Sequence, residues 1–254
     1  NDTKGINNGT LMNGATFSAG NVGQAFSFDG VNDHVEIPDS PSLDLTRISM
    51  AFWFKLNELN RIHELVNKFG PEGSNTIAYG SEVGTNNKAC FRISTDGTLA
   101  GLTDVCSTTV LATGVWYHFA GTYDGTEMKI YINGVNEGTV SKTGNIFINS
   151  QNLKLGSYGY FPWFLNGYLD EVNIADRALT PAEVTAIYQA GTFGMCRSCT
   201  ATIPGTLGWW RAENSGFDSF LLNNGLLVNG AVARQLAVDR RRREHNRRLV
   251  LLDG

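Results

Sequence analysis

The chain has 254 residues, 42% of them hydrophobic and 11% aromatic, which is ample for a core and excludes disorder as the main state. Charged residues are only 17% and glycine is abundant at 29; an average soluble domain carries about 25% charge, so the balance points to a turn-rich, all-β, extracellular type of protein. Residues 234–254 hold seven Arg against Asp239, Glu244 and Asp253, a net of +4 inside an overall −4, which leaves −8 for residues 1–233. That acidic body argues against nucleic acid as a partner, and no apolar run approaches the roughly 18 residues of a membrane span.

In chain order, Phe26-Ser27-Phe28 and Met50-Ala51-Phe52-Trp53-Phe54 alternate with period two, as half-buried strands do. Asp29-Gly30, Asp96-Gly97, Asp124-Gly125 and Asn133-Gly134 each stand between strand-like runs, a strong local hairpin signal. Cys90 and Cys106 flank a segment whose midpoint is Thr98, so a hairpin centred there sets the two opposite each other, where a disulfide can close. Val115–Thr122, Thr126–Ile132 and Val135–Val140 form a meander of three strands. Tyr158-Gly159-Tyr160-Phe161-Pro162-Trp163-Phe164 puts five aromatics into seven residues, and its Gly and Pro break any strand. Thr180 as N-cap, Pro181 at the first helical position and Glu183 closing a capping box predict one short helix over 181–189, stopped by Gly191. Many short strands with one helix predict a two-sheet antiparallel sandwich.

The sequence also repeats itself. Asn7–Ala15 recurs as Asn223–Ala231 with seven of nine positions identical, and Asp2 maps onto Asp218 at the same offset of 216. A period of that length is one whole domain plus linker. The expected organisation is therefore a module over 1–191 that lacks its first strand, a linker over 192–205, and the truncated start of a second copy over 206–254. Gly208-Trp209-Trp210 would open that copy, an unpartnered strand that must find a groove or stay exposed. The Arg-rich stretch from Arg234 has no counterpart in the first copy and reads as a tail or an unrelated segment. The chain as a whole reads as an excerpt of a longer tandem-repeat protein.

Gly23–Gly30, Asp33–Ile37, Met50–Leu56, Trp116–Gly125, Ile130–Gly134, Asn166–Val172 and Leu179–Val184 together resemble the laminin-G-like jelly rolls of the concanavalin A-like lectin/glucanase superfamily, in their bacterial tandem-repeat form. The likeness runs in order over about residues 2–191. It implies a jelly roll, but the fold hosts lectins, adhesion modules and glycosidases alike, so function has to come from the site.

Retaining glucanases of this fold set two glutamates on alternate positions of one strand, about 5–5.5 Å apart. No Glu-x-Asp-x-Glu occurs here, and Asp170-Glu171 are adjacent, pointing to opposite faces of a strand. His118, between Tyr117 and Phe119, reads as a packing residue. The expectation is no enzyme. The resemblance further implies a calcium ion at the sheet rim, for which Asp29, Asp33 and Asp170 are the candidate ligands; the alternative is that Asp29 caps its own turn. Cys196 and Cys199 form a lone Cys-x-x-Cys without the further ligands zinc needs, so a local disulfide is expected, and both bridges place the chain in an oxidising, extracellular or cell-surface setting. Tyr158, Tyr160 and Trp163 are the candidate glycan contacts, with Phe161 and Phe164 folding down as core. Glycans or surface polymers and neighbouring repeats of the same chain are the expected partners. A structural spacer without ligand is the alternative, and a glycoside hydrolase trails because the carboxylate pair is missing.

Overall fold

The structure is a computed structural model and describes residues 5–71, 74–159, 161–194 and 206–210, all within a compact unit that runs from Asn1 to Ser215. In chain order the strands are β1 (Thr10–Met12), β2 (Thr16–Ala19), β3 (Gln24–Asp29), β4 (His34–Ile37), β5 (Ile48–Leu56), β6 (His63–Phe69) and β7 (Ile77–Val83). There follow β8 (Ala89–Ser94), β9 (Leu102–Cys106), β10 (Trp116–Tyr123), β11 (Glu127–Ile132), β12 (Val135–Ser141), β13 (Leu153–Leu155) and β14 (Asn166–Ala175). A helix, α1 (Pro181–Ala190), and a last strand, β15 (Thr206–Trp210), complete the described chain.

The strands form a jelly-roll sandwich of two antiparallel sheets. One runs β1-β4-β13-β6-β7-β8-β9, and the other β12-β11-β10-β5-β14-β3-β2 with β15 added to β14. Phe26, Phe28, Phe52, Phe54, Phe91 and Phe119 meet in the core, where Phe52 stacks on Phe119 at 4.7 Å. The meander is present as β10, β11 and β12, and Asn133 and Gly134, with φ of 51° and 77°, make its two-residue turn. Asp29-Gly30 differs from the other three turn signals. It joins β3 of one sheet to β4 of the other, because β3 pairs with β2 and β14 while β4 pairs with β1 and β13.

The helix forms as its caps dictate. Thr180 accepts from the Glu183 amide, Glu183 reaches back to Thr180, and Arg177 grips the same carboxylate at 2.6 and 2.9 Å. That grip, with the cap bonds, holds Glu183 down to about 2. Val184 and Ile187 pack on Ala51, Ala120 and Tyr131, so the helix covers the outer face of the β5–β10–β11 sheet.

Thr206–Trp210 does not stand unpartnered. Its backbone pairs antiparallel with β14 and joins the compact unit, so the unit's boundary falls beyond residue 191. Residues 211–254, Cys196, Cys199 and Tyr160 lie outside the described residues. Among the described residues no helix is long and apolar enough to cross a membrane.

Candidate functional site

On β8 and β9, Phe91, Ile93 and Val105 point into the core, so Cys90, Arg92, Asp104 and Cys106 face the other way. Register extends that outer face across the sheet. Glu36 pairs with Lys154, Lys154 with Asn67, Asn67 with Gly80, Gly80 with Arg92, and Arg92 with Asp104. Six strand positions thus make one polar rung. Gly80 is the low point of it: a Cβ there would meet Asn67 Oδ1 at 1.9 Å and the Phe69 ring at 2.9 Å. The next rung holds Glu64, Glu82 and the Cys90–Cys106 disulfide, whose Cα atoms are 4.0 Å apart in the register expected from the Thr98 midpoint.

Arg92 anchors this face. Its guanidinium lies 2.7 Å from Glu82, 3.2 Å from Asp104 and 3.8 Å from Glu64, and 5.8 Å from the centre of the Phe69 ring. Burial works against its charge, but the three carboxylates outweigh burial and keep it firmly cationic. Burial pushes the Glu64 carboxyl well above the ordinary carboxylate range, against the pull of Arg92 and with the help of Glu82; burial raises Glu82 too. Glu64 Oε2 accepts from the Asn67 amide at 2.7 Å.

Beside Arg92 the face opens into a cavity of about 330 Å³. Its walls are Phe69 and Ile77 from the ends of β6 and β7, Leu102 from β9, Leu99 and Asn75 from two loops, and the aromatic loop after β13. That loop is clamped at both ends: the Gly156 amide donates to Leu65 at 2.7 Å and the Leu165 amide to Gly156 at 2.9 Å. Gly159, with φ of 93°, passes over Lys154 where a Cβ would meet Nζ at 2.6 Å. Trp163 and Phe161 stack at 4.4 Å, and Tyr158 meets both edge-on at 5.8 and 5.2 Å.

The expected glycan contacts are thus partly redistributed. Trp163 is half-buried on the cavity wall, but Tyr158 is only 6% exposed and packs on Phe69 as floor. Phe161, expected to fold down as core, takes the half-exposed place against Trp163. Ring size and spacing along the chain do not say which ring turns outward.

The three aspartates expected to hold calcium do not share a centre. Asp29 and Asp33 occupy one turn, where Asp29 Oδ1 accepts from the Val31 amide at 2.8 Å and Asp33 Oδ2 from the Asp29 amide at 3.1 Å. Asp29 therefore does cap its own turn. Asp170 sits four residues along β14 from the Asn166 that faces Asp29, about 13 Å away at the rise of a strand, and accepts from the Val22 amide. Among the described residues no three His, Cys, Asp or Glu side chains converge to hold a metal. In the turn, Asp33 Oδ1 is buried without a hydrogen-bond partner, and burial raises that carboxyl.

Glu64 and Glu82 are a carboxylate pair that the sequence reading missed, since they come from two strands 18 residues apart. Both meet the same Nη1 of Arg92, at 3.8 and 2.7 Å. Only a strand-pairing register, not a local motif, could have found them.

Among known proteins, a family model described as the concanavalin A-like lectin/glucanases superfamily matches residues 29–185. No curated protein matches the sequence. The chain is similar in structure to the binding domain of Paraclostridial Mosquitocidal Protein 1, with a TM-score of 0.59 and 18% identity over 72% of this chain and 47% of that one. It is similar to domain 4 of AbnA, a GH43 extracellular arabinanase from Geobacillus stearothermophilus, in complex with arabinotriose: TM-score 0.58, 21% identity, 72% and 89% covered. The binding domain of Botulinum Neurotoxin DC, in complex with SialylT, gives 0.56, 13%, 72% and 46%. The chain spans about half the length of the two toxin domains. At these identities the likeness is one of fold.

Proposed function

We propose that this chain, which belongs to the concanavalin A-like lectin/glucanases superfamily in its laminin-G-like form, is a non-catalytic carbohydrate-binding module. The observation that carries the reading is the cavity in which Trp163 and Phe161 stack beside Asn75 and Arg92. Aromatic faces take the C–H face of a sugar ring, and a few polar groups fix its orientation. A cavity of about 330 Å³ suits one or two sugar rings. Arg92, the one cation lining it among the described residues, is already surrounded by three carboxylates, so the site favours a neutral glycan over an acidic one.

Catalysis does not follow from Glu64 and Glu82. A glycosidase holds its two carboxyls on either side of a bond, about 5–5.5 Å apart or wider, whereas these two converge on a single guanidinium nitrogen. The Cys90–Cys106 bridge supports an extracellular or cell-surface setting. Calcium enters this reading only as a support for the Asp29–Asp33 turn, where Asp33 Oδ1 is the spare oxygen. Weak single-site binding would be strengthened by repetition of the module.

The test is a glycan array on the whole chain, run with calcium and with chelator, alongside melting curves in both. Binding to a neutral glycan class supports the reading. Binding confined to acidic glycans overturns the neutral preference, and no binding at all leaves a structural spacer. An equal melting temperature with calcium and with chelator removes the ion from the turn.

A further inference from the structure

On β5, β10 and β14, Phe54, Tyr117 and Leu169 turn towards the core, so Lys55, Trp116 and Tyr168 face outward. The three stand in register, Trp116 opposite Lys55 and Lys55 opposite Tyr168, and the rung continues through Ser27 of β3 to Thr16 of β2. Tyr188 of α1 packs on Trp53 and His118. Lys55, Trp116 and Tyr168 lie one rung further out and are half-buried.

The Lys55 ammonium sits 4.4 Å from the centre of the Tyr168 ring and 5.0 Å from that of Trp116, and the two rings are 6.2 Å apart. Ring faces hold a cation in place without cancelling its charge. Among the described residues no carboxylate comes within 4.0 Å of this ammonium. The two acidic residues nearest in register are engaged elsewhere: Asp170 accepts from the Val22 amide and Asp29 from the Val31 amide. Arg92 is the opposite case, a cation ringed by three carboxylates. In the next rung outward, the exposed Asn57 donates to the Asn166 side chain at 3.0 Å, which sets two carboxamides beside the rings.

We propose that the Trp116–Lys55–Tyr168 rung is a second glycan site and that it takes an acidic sugar, a hexuronate whose carboxylate meets Lys55. One ammonium balances one carboxylate, and the flanking rings select a sugar, with its C–H face, over a bare anion. The Asn57 and Asn166 carboxamides are the polar groups that orient the hydroxyls. This goes beyond the neutral-glycan reading of the cavity and stands apart from it, since the two sites are on different sheets and favour different charge.

The experiment titrates the whole 254-residue chain by calorimetry with trigalacturonate and with its methyl ester, which carries no charge. The acid is expected to bind, and the ester to bind at least tenfold more weakly. Lys55→Gln, which keeps the stem but not the charge, and Trp116→Ala should each weaken the acid at least tenfold, while Lys55→Arg retains it. Melting curves of each variant confirm that it is folded. No binding of trigalacturonate, equal affinity for acid and ester, or undiminished binding in Lys55→Gln overturns the proposal. Loss of the acid in Trp163→Ala with retention in Trp116→Ala also overturns it, because the acid then occupies the cavity. A failure of the neutral-glycan reading would show instead with neutral glycans at Trp163.

Discussion

The two sheets share one core yet finish their outer faces in opposite ways. Over β5, β10 and β11 the outer face is apolar and sealed by α1, with His118 buried between Trp53 at 5.3 Å and Tyr188 at 6.0 Å. Over β6 to β9 the outer face is polar, and three of its carboxylates gather around Arg92, with a cavity left at the edge. A sealed apolar face adds stability through burial. A polar face whose carboxylates gather on one guanidinium adds little, because desolvation offsets much of the Coulombic gain, but it fixes geometry beside an opening. The contrast teaches that cover, not sheet geometry, separates the two faces: α1 closes one of them and leaves the other open beside Arg92.

The largest effect should come from breaking the polar face. Arg92→Met leaves Glu82 and Asp104 without their cation, beside a Glu64 carboxyl that burial already pushes well above the ordinary range, and denaturant unfolding should show a loss of about 3–5 kcal/mol at neutral pH. Mild acid should restore part of it, because protonation removes the uncompensated charge; a variant equally destabilised at pH 5 and pH 7 would break the argument.

His118 tests the sealed face. Burial holds its imidazole down at about 3, and neither ring nitrogen has a hydrogen-bond partner. The unfolded chain takes a proton near 6.5 that the folded chain refuses, so stability should fall steadily as pH drops from about 6.5 towards 3. Stability curves of His118→Phe should be flatter over that window than those of the parent. Parallel curves would show that the acid limb belongs to other groups.

Trp163→Ala separates the two faces. Glycan affinity should fall at least tenfold by calorimetry, about 1.4 kcal/mol, while the melting temperature moves little, because the ring lines an opening rather than the main core. The smallest effect belongs to the helix that seals the other face: Thr180→Ala removes its N-cap and should cost about 1 kcal/mol in denaturant unfolding, with glycan binding unchanged.

Much of this architecture is written locally. The β10–β12 meander follows from period-two alternation and an Asn-Gly turn that only residues tolerant of positive φ can make. The helix follows from Thr180, Pro181 and Glu183, three side chains within one turn. Cys90 and Cys106 could be paired by counting outward from Thr98, since a hairpin fixes its own register. These are short-range consequences of covalent geometry, and the sequence by itself determined them.

The candidate site is of another kind. The rung from Glu36 through Lys154, Asn67, Gly80 and Arg92 to Asp104 draws one residue from each of six strands, and β4 and β13 meet across more than a hundred residues of chain. Glu64 and Glu82 become a pair, Asp29 and Asp170 fail to become one, and Tyr158 turns inward while Phe161 turns out, all through how the sheets close. Only the tertiary structure decided these. The register between strands distant in sequence is set by packing the whole sandwich, and no spacing along the chain records it.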